Sequence, residues 1–360
     1  MWPKGLSQYL NGIKTEMRPQ QSSAKKRRSF KLYTINQSAL YKITSPKKLS
    51  NALNRSELEI DVLLGSDENY REFTLLEELN PFSHKRKKAR LVQTPNKDLR
   101  SVHERILKLL QRIEYPEYAH AGVKKRSYRS NAQAHQKSKE VATFDLSNYY
   151  GSVKAHHVYD FYLKQLQCVR DVSGILTRLS THRNCIPTGS PLSPLLALHS
   201  SRTMFDSLDC LAKRYGLVFT CYVDDLTFSG DAIPPSLERE VVSIVRRNGH
   251  SINKKKTRIF RAHQAKHVTG TVIINGNITV PHARLVTVRR LEDAINGKMD
   301  SFGFSETKLM EKLAGVLNEA SYLDSKFRSK ALAARSNLSS PSPSPSPSPS
   351  PAPQVADASI

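Results

Sequence analysis

Two adjacent aspartates stand between two short apolar stretches in residues 216–230, GLVFTCYVDDLTFSG. The β-branched and aromatic residues on both sides of the pair predict two strands joined by a tight turn at Asp224 and Asp225. A further strand pattern, VATFDLS, occupies residues 141–147 and contains Asp145. An isolated Asp-Asp pair is more often a plain hydrophilic turn. The apolar strands around this pair, and the matching segments that precede it, favour a functional interpretation.

Carboxylates from separate strands, held at one point, suit a particular chemistry. Two divalent ions about 3.5–4 Å apart can stabilise the attacking and the leaving oxygens of a phosphoryl transfer together. Mg²⁺ prefers carboxylate and phosphate oxygens as ligands. Because adjacent residues on a strand point to opposite faces, Asp224 and Asp225 are not expected to be equivalent. We assign Asp145 and Asp224 as bridging ligands and give Asp225 a weaker role.

The charge of the chain predicts a polyanionic partner. Its 56 Lys and Arg residues outnumber its 32 Asp and Glu residues, which gives a formal net charge of +24. Solubility alone requires a net charge of only about 2–8 in a small domain. Nucleic acid is the commonest polyanion bound by such chains. On composition alone, a basic but unspecialised surface stays open as the alternative.

The cysteines and the apolar segments limit the compartment. The four cysteines form no CxxC pair, so ordinary reduced cysteines are expected rather than a zinc knuckle or a disulfide framework. The first residues lack the apolar core of a signal peptide, and no stretch approaches about 18 apolar residues. We therefore expect a soluble, cytoplasmic protein with no membrane partner.

The chain divides into four predicted regions. Residues 1–44 are a basic arm that includes the run KKRR, and residues 45–283 form the catalytic body. Residues 284–335 are helical and basic. Residues 336–360, with the repeat SPSPSPSPSPSP, cannot form a packed core and are expected to be disordered.

Helices and strands alternate within the predicted body. Helical apolar spacing marks residues 45–64, where Leu49, Leu53, Leu58 and Ile60 lie near one face. A second helix is predicted at 97–113, and its buried stripe consists of Val102, Ile106, Leu109, Leu110 and Ile113. Residues 267–280 contain Asn275-Gly276, which is a strong hairpin signal.

Four segments resemble, in family order, the motifs of reverse transcriptases. YVDD resembles the family signature, and FDLSNYYGSV resembles the first catalytic motif. IPTGSPLSP is similar to the segment usually written with Pro-Gln-Gly, and SINKKKT to the Asn-x-x-Lys-Thr motif. These segments lie at residues 222–225, 144–153, 186–194 and 251–257. The resemblance covers roughly residues 45–330. It implies an α+β, right-hand polymerase fold of fingers, palm and thumb, with an antiparallel palm sheet and a helical thumb.

The resemblance also implies roles for single residues. Tyr150 matches the aromatic residue that blocks a 2′-hydroxyl and so selects deoxynucleotides, whereas Tyr149 is expected in the core. Gly189 belongs to the loop beside the incoming nucleotide, where glycine lets a backbone approach a ligand closely. The family usually has Gln where this chain has Thr188, which leaves any side-chain contact from that position open.

Two basic residues match elements that handle the triphosphate. Arg90 lies in the basic segment HKRKKARLVQTP, which resembles the fingers element that grips template and triphosphate. Arginine can bind phosphate through two parallel hydrogen bonds. Lys256 matches the motif lysine, whose role is either proton donation to the leaving pyrophosphate or plain phosphate binding. Three adjacent lysines leave the assignment between them open.

Two shorter segments narrow the resemblance to bacterial retron reverse transcriptases. NAQAH, residues 131–135, ends ten residues before Asp145 (145 − 135 = 10), and Val-Thr-Gly stands at 268–270. Both are similar to retron elements in the expected places. The resemblance implies RNA binding by Asn131, His135, Val268, Thr269 and Gly270. For the histidine, a purely structural role is an equal alternative.

The resemblance implies a specific activity. Retron enzymes copy part of a structured noncoding RNA into multicopy single-stranded DNA with two Mg²⁺ ions, for which Mn²⁺ can substitute. Deoxynucleoside triphosphates are the substrates, the product is a branched RNA–DNA molecule, and a separate effector protein commonly completes an anti-phage system. The alternatives are an intron-encoded or diversity-generating reverse transcriptase, and a catalytically silent RNA-binding protein on the same fold.

Overall fold

A computed structural model describes residues 31–339 of the chain as a mixed helix and sheet protein. The strands are β1 (Tyr70–Leu75), β2 (Glu78–Leu79), β3 (Arg86–Lys87), β4 (Arg90–Pro95), β5 (Glu140–Asp145), β6 (Val218–Tyr222), β7 (Asp225–Gly230), β8 (Arg258–Phe260), β9 (Lys266–Val268), β10 (Thr271–Ile274) and β11 (Asn277–Thr279). The first nine helices are α1 (Pro46–Leu53), α2 (Glu57–Gly65), α3 (Lys97–Leu110), α4 (Tyr128–Ala134), α5 (Tyr149–Ser152), α6 (Ala155–Asp160), α7 (Arg170–Ser180), α8 (Ser193–Ser200) and α9 (Arg202–Arg214). They are followed by α10 (Leu237–Arg247), α11 (His282–Ile295), α12 (Glu306–Leu323) and α13 (Arg328–Ser339).

The four sheets are antiparallel, as the sequence predicted for the central one. The central sheet has the strand order β6-β7-β5-β8, and a small sheet has the order β11-β10-β9. Strands β1 and β4 form a two-stranded sheet, and β2 pairs with β3. Asn275 and Gly276 have φ values of 47° and 72°, so the predicted Asn-Gly hairpin is confirmed as a turn with two left-handed residues.

The main core lies between the central sheet and the helices that surround it. Phe144 and Phe228, on neighbouring strands, are fully buried and contact each other edge to face at 5.8 Å between ring centroids. Every residue of the stripe predicted for the second helix is buried, which confirms that α3 presents one apolar face to this core. Aromatic packing directly beneath β5 and β7 makes the end of the central sheet a rigid support.

The helix predicted over residues 45–64 is two helices. Asn54 adopts a left-handed conformation, with φ of 56°, and ends α1. Ser56 then starts α2 with a capping box, in which its side chain accepts from the Glu59 amide. The change of direction leaves Leu58 73% exposed, so its predicted place on the buried face is wrong.

The packed body begins before the predicted boundary at residue 45. Leu40 and Ile43 are buried in the main core, and the Lys42 amide donates to the Leu166 carbonyl at 2.8 Å. The predicted basic run at 25–28 and the Ser-Pro repeat lie outside the described residues. The last helix, α13, continues to Ser339, four residues beyond the predicted end of the helical region at 335 (339 − 335 = 4). No helix within residues 31–339 is long and apolar enough to cross a membrane.

Candidate active site

Three aspartates meet at one end of the central sheet. Asp145 is the last residue of β5, and Asp225, the first residue of β7, lies directly opposite it in the strand register. Tyr222 of β6 faces Asp225 on the other side, so that Val223 and Asp224 form a two-residue turn. Directly opposed residues of antiparallel strands point to the same face. Asp145 and Asp225 therefore share a face, and the turn adds Asp224 beside them.

The turn that carries Asp224 has an unusual backbone. Val223 has φ of 59°, a left-handed conformation that is rare for a β-branched residue. Strain of this kind costs on the order of 1–3 kcal/mol and persists only where the surroundings impose it. Part of that restraint is visible, because the Leu146 amide donates to the Asp224 carbonyl at 2.9 Å and fixes the turn to the end of β5.

The three carboxylates lie close together, and their negative charges repel one another. Burial raises the pKa of Asp225 to about 6, and the neighbouring charges of Asp224 and Asp145 add to the effect. Burial, followed by the charge of Asp145, also raises the pKa of Asp224. A cation placed among these carboxylates would offset both the cost of burying their charge and their mutual repulsion.

Lys256 supplies the one cation in contact with these carboxylates among the residues described. Its ammonium donates to both oxygens of Asp145 at 2.8 Å, and this hydrogen bonding, ahead of the charge of Asp145, raises the lysine pKa. The loop that bears it is joined to β5 by backbone, since the Asn253 amide donates to the Asp145 carbonyl at 2.8 Å. Of the three adjacent lysines, Lys254 and Lys255 are exposed and make no ion pair with a described residue.

The carboxylate oxygens are of the type that binds a hard divalent cation, but their present arrangement is less suited to one. Carboxylate oxygens are the ligands that Mg²⁺ prefers, and the strand register brings Asp145 and Asp225 to one face beside Asp224. Within residues 31–339, however, no three His, Cys, Asp or Glu side chains converge as a ready cage for a metal ion. Both oxygens of Asp145 are instead engaged by Lys256.

Two consecutive tyrosines lie behind the carboxylates. Tyr149 is buried and its hydroxyl donates to the Ala197 carbonyl at 3.0 Å, which confirms the prediction of a core residue. Tyr150 is half-buried, with its ring centroid 5.9 Å from that of Tyr149. Burial, followed by the charge of Asp224, raises the pKa of Tyr150 to about 12. The Tyr150 side chain is thus uncharged and lies close enough to Asp224 to be affected by its charge.

Gly189 approaches a strand of the protein itself. A Cβ atom at this position would lie 2.7 Å from the Gln93 carbonyl oxygen of β4, so only glycine fits without a shift. The Gly189 amide donates to that carbonyl at 3.0 Å. The close approach predicted toward a ligand is therefore, in this structure, an approach to β4. Arg90, at the start of β4, is exposed and makes no ion pair with a described residue.

The two residues of the NAQAH segment that were predicted to bind RNA are buried, so their side chains present no surface for direct contact with it. Asn131 and His135 both have 0% exposure. The two ring nitrogens of His135 lie 2.7 Å from the hydroxyl oxygens of Ser229 and Thr220, on β7 and β6. Burial, followed by the charge of His120, lowers the pKa of His135 to about 3, so the ring is neutral at physiological pH. This histidine fastens α4 to the central sheet, which was the structural alternative.

The Val-Thr-Gly segment is divided between core and surface. Val268 is fully buried, so its side chain presents no surface for the predicted RNA contact. The Thr269 hydroxyl accepts from the Asn131 side-chain amide at 2.6 Å, which connects the two sequence elements. Thr269 and Gly270 line a cavity of about 620 Å³ that also reaches Asp225. Two of the five residues predicted to bind RNA therefore remain accessible.

Sequence reasoning missed the basic residues that line this cavity. Lys85 approaches it from the segment between β2 and β3, and Arg284 from the first turn of α11. One guanidinium nitrogen of Arg284 pairs with Glu319 at 2.7 Å, and the other is buried without a partner in the described chain. A cation in the first turn of a helix opposes the helix dipole. A basic residue at the N-terminal end of a predicted helix is therefore the sequence signal by which Arg284 could have been found.

Comparison with known proteins identifies the family to which these strands and the candidate site belong. Residues 82–273, more than half of the chain, match the family described as reverse transcriptase (RNA-dependent DNA polymerase). The chain belongs to this family. The Retron Se72 reverse transcriptase of Salmonella heidelberg (strain 579083-10) is 30% identical over 53% of this chain and 53% of its own length.

Further relatives carry the same description. The Retron Ec86 reverse transcriptase of Escherichia coli is 25% identical over 76% of this chain and 82% of its own length. The Retron Mx65 reverse transcriptase of Myxococcus xanthus is 30% identical over 51% of this chain and 48% of its own length. The chain thus spans about half the length of two of these three relatives. The predicted resemblance to bacterial retron reverse transcriptases is confirmed.

Proposed function

We propose that the chain is an RNA-directed DNA polymerase that copies a structured noncoding RNA into single-stranded DNA. The observation that carries the proposal is the meeting of Asp145, Asp224 and Asp225 at one end of the central sheet, with the pKa of Asp225 raised to about 6. Perturbed carboxylates gathered at one point of a cleft are typical of a catalytic site. A silent RNA-binding protein has no need to crowd three such groups.

The proposed architecture assigns each sheet a task. The central sheet acts as the palm, the sheet of β1 and β4 with the β2–β3 hairpin as the fingers, and α11, α12 and α13 as the thumb. The cavity lined by Asp225, Gly270 and Arg284 would receive the end of a primer strand beside the carboxylates. The basic residues around it suit the phosphates of a nucleic acid backbone.

The three aspartates would hold two Mg²⁺ ions, for which Mn²⁺ can substitute. Bound there, such ions favour the ionised form of the attacking hydroxyl and stabilise the leaving pyrophosphate oxygens. Lys256 would leave Asp145 and turn to the triphosphate, either as a proton donor or as a phosphate ligand. Its side chain is protonated at neutral pH, since the ordinary lysine pKa of 10.5 lies far above 7 and contact with Asp145 raises it further.

The other predicted residues select and orient the nucleotide. Arg90, exposed and without an ion-pair partner among the described residues, is available to bind the triphosphate. The half-buried ring of Tyr150 would exclude a 2′-hydroxyl. Gly189 holds its loop against β4 next to that nucleotide. Deoxynucleoside triphosphates are then the substrates, and the product is a DNA strand attached to its RNA.

The retron assignment rests on the relatives and on the accessible part of the Val-Thr-Gly segment. Thr269 and Gly270 would contact the RNA at the cavity, where backbone groups and close approach are available. The RNA–DNA product would join a separate effector protein in anti-phage defence, in the cytoplasm. The alternatives are an intron-encoded or diversity-generating reverse transcriptase.

One experiment tests the proposal at both levels. The chain is expressed with its upstream locus, and the nucleic acid is extracted and examined for a short, branched single-stranded DNA. The Asp145→Asn variant, which keeps the side-chain shape and loses the charge, serves as the matched control. Branched DNA from the wild type alone supports the retron enzyme. Extension of a primer on generic RNA without branched DNA favours another reverse transcriptase, and no synthesis on either template contradicts the polymerase.

A further inference from the structure

The loop of residues 187–190 occupies the free edge of β4. Among the strands of residues 31–339, β4 pairs only with β1, so its other edge presents backbone groups without a strand partner. The Gly189 amide donates to the Gln93 carbonyl at 3.0 Å. The Thr188 hydroxyl donates to the Leu91 carbonyl at 3.0 Å and accepts from the Gln93 amide at 3.3 Å. The Thr188 side chain and the Gly189 amide thus provide hydrogen-bond partners for the free edge of β4 from Leu91 to Gln93.

The same loop is fixed at its far end by a buried histidine. The Nε2 atom of His103 donates to the Leu179 carbonyl at 2.6 Å, so its Nδ1 atom must accept, and it does so from the Ser190 hydroxyl at 2.7 Å. His103 has 0% exposure, and burial lowers its pKa to about 4, which keeps the ring neutral. The loop therefore has one anchor in the helical core and one on β4.

The contact on β4 lies next to the proposed triphosphate residue. Arg90 precedes Leu91, the residue whose carbonyl accepts from Thr188. Most family members have Gln at the position of Thr188, and a long amide could reach a bound nucleotide. Here the shorter hydroxyl already has two partners within the protein. The side chain is exposed, so it adds little buried apolar area to the stability of the fold.

Resting on the proposed function, we propose that Thr188 is a positioning residue that fixes the nucleotide loop to the strand bearing Arg90. Through its hydroxyl, the strand and the loop meet an incoming deoxynucleotide as one unit. Without the hydroxyl, two of the three hydrogen bonds along the β4 edge are lost. The loop and Arg90 then occupy their binding positions together only part of the time. This weakens nucleotide binding more than it slows the chemical step.

The test separates the hydroxyl from the rest of the side chain. Thr188→Val keeps the shape and removes both hydrogen bonds, whereas Thr188→Ser keeps the hydroxyl. Primer extension is measured at saturating primer–template over a range of deoxynucleotide concentrations. We expect Thr188→Val to raise KM about tenfold, with a smaller change in kcat, because two net hydrogen bonds are worth a shift of that order. Thr188→Ser should restore the wild-type KM.

A matched control comes from the neighbouring strand. Thr74, opposite Leu91 on β1, is exposed, and its hydroxyl contacts no described residue, so Thr74→Val should leave KM unchanged. A wild-type KM in Thr188→Val would overturn the positioning role, as would equal impairment by Thr188→Ser. A joint loss of melting temperature and primer–template affinity would also overturn it, because the hydroxyl would then support the fold. A wild-type chain that makes no DNA would instead contradict the proposed function.

Discussion

Replacing His135 by alanine should destabilise the whole sheet and leave template choice unchanged. The fully buried ring connects the end of α4 to the hydroxyls of Ser229 and Thr220, and its loss leaves a cavity between this helix and the central sheet. Truncation of a large buried side chain costs about 2–5 kcal/mol. A hydroxyl left without a partner adds about 1–3 kcal/mol. Ser229 keeps a bond to Ser138 at 2.8 Å, so only Thr220 is orphaned.

We therefore expect His135→Ala to lose about 3–8 kcal/mol of unfolding free energy, a large part of the 5–15 kcal/mol typical of a domain. Urea denaturation measures the loss, and primer extension on a structured and on a generic RNA measures its consequence. Activity per folded molecule should fall by the same factor on both templates. His135→Gln, which retains volume and one hydrogen bond, should lose less. Wild-type stability together with lost synthesis on the structured RNA alone would refute the reasoning and return His135 to RNA recognition.

Three further perturbations probe other parts of the molecule. Asp145→Asn should abolish primer extension while RNA binding, measured by filter retention, survives; normal extension would remove Asp145 from the catalytic set. Tyr150→Ala should admit ribonucleotides, which incorporation assays detect, and retained selectivity would make Tyr150 a packing residue. The folded pKa of Asp225, about 6, exceeds its ordinary value of 3.8, so ionisation costs stability that grows as pH rises through this window, up to about 3 kcal/mol. Asp225→Asn should therefore stabilise the metal-free protein at pH 7.5 and have little effect at pH 4, as denaturation at both pH values would establish.

The sequence predicted those parts of the protein that local signals specify. The strands around Asp145, Asp224 and Asp225 were predicted because each apolar run and turn is contained in a few consecutive residues. The buried face of α3 followed from its 3.6-residue period. Leu58 was misplaced because the same period was extended across Asn54, whose left-handed conformation ends α1.

Contacts between distant segments could not be predicted in this way. The sequence left RNA binding and a structural role as equal alternatives for His135, because its partners, Thr220 and Ser229, are 85 and 94 residues away in the chain. A polar side chain looks the same in a sequence whether water or a buried hydroxyl satisfies it. The hydroxyl of Thr188 likewise acquires its partners only when β4 is folded beside the loop.

The bond between Lys256 and Asp145 has a consequence for how cations enter the site. The ammonium already neutralises part of the aspartate charge, so a divalent ion that binds Asp145 must displace it. Binding of a metal ion is then an exchange of one cation for another. The measured affinity reflects the difference between the binding free energy of the divalent ion and that of the ammonium it displaces. Removing the ammonium, as in Lys256→Met, should tighten metal binding in the resting protein even while it harms synthesis.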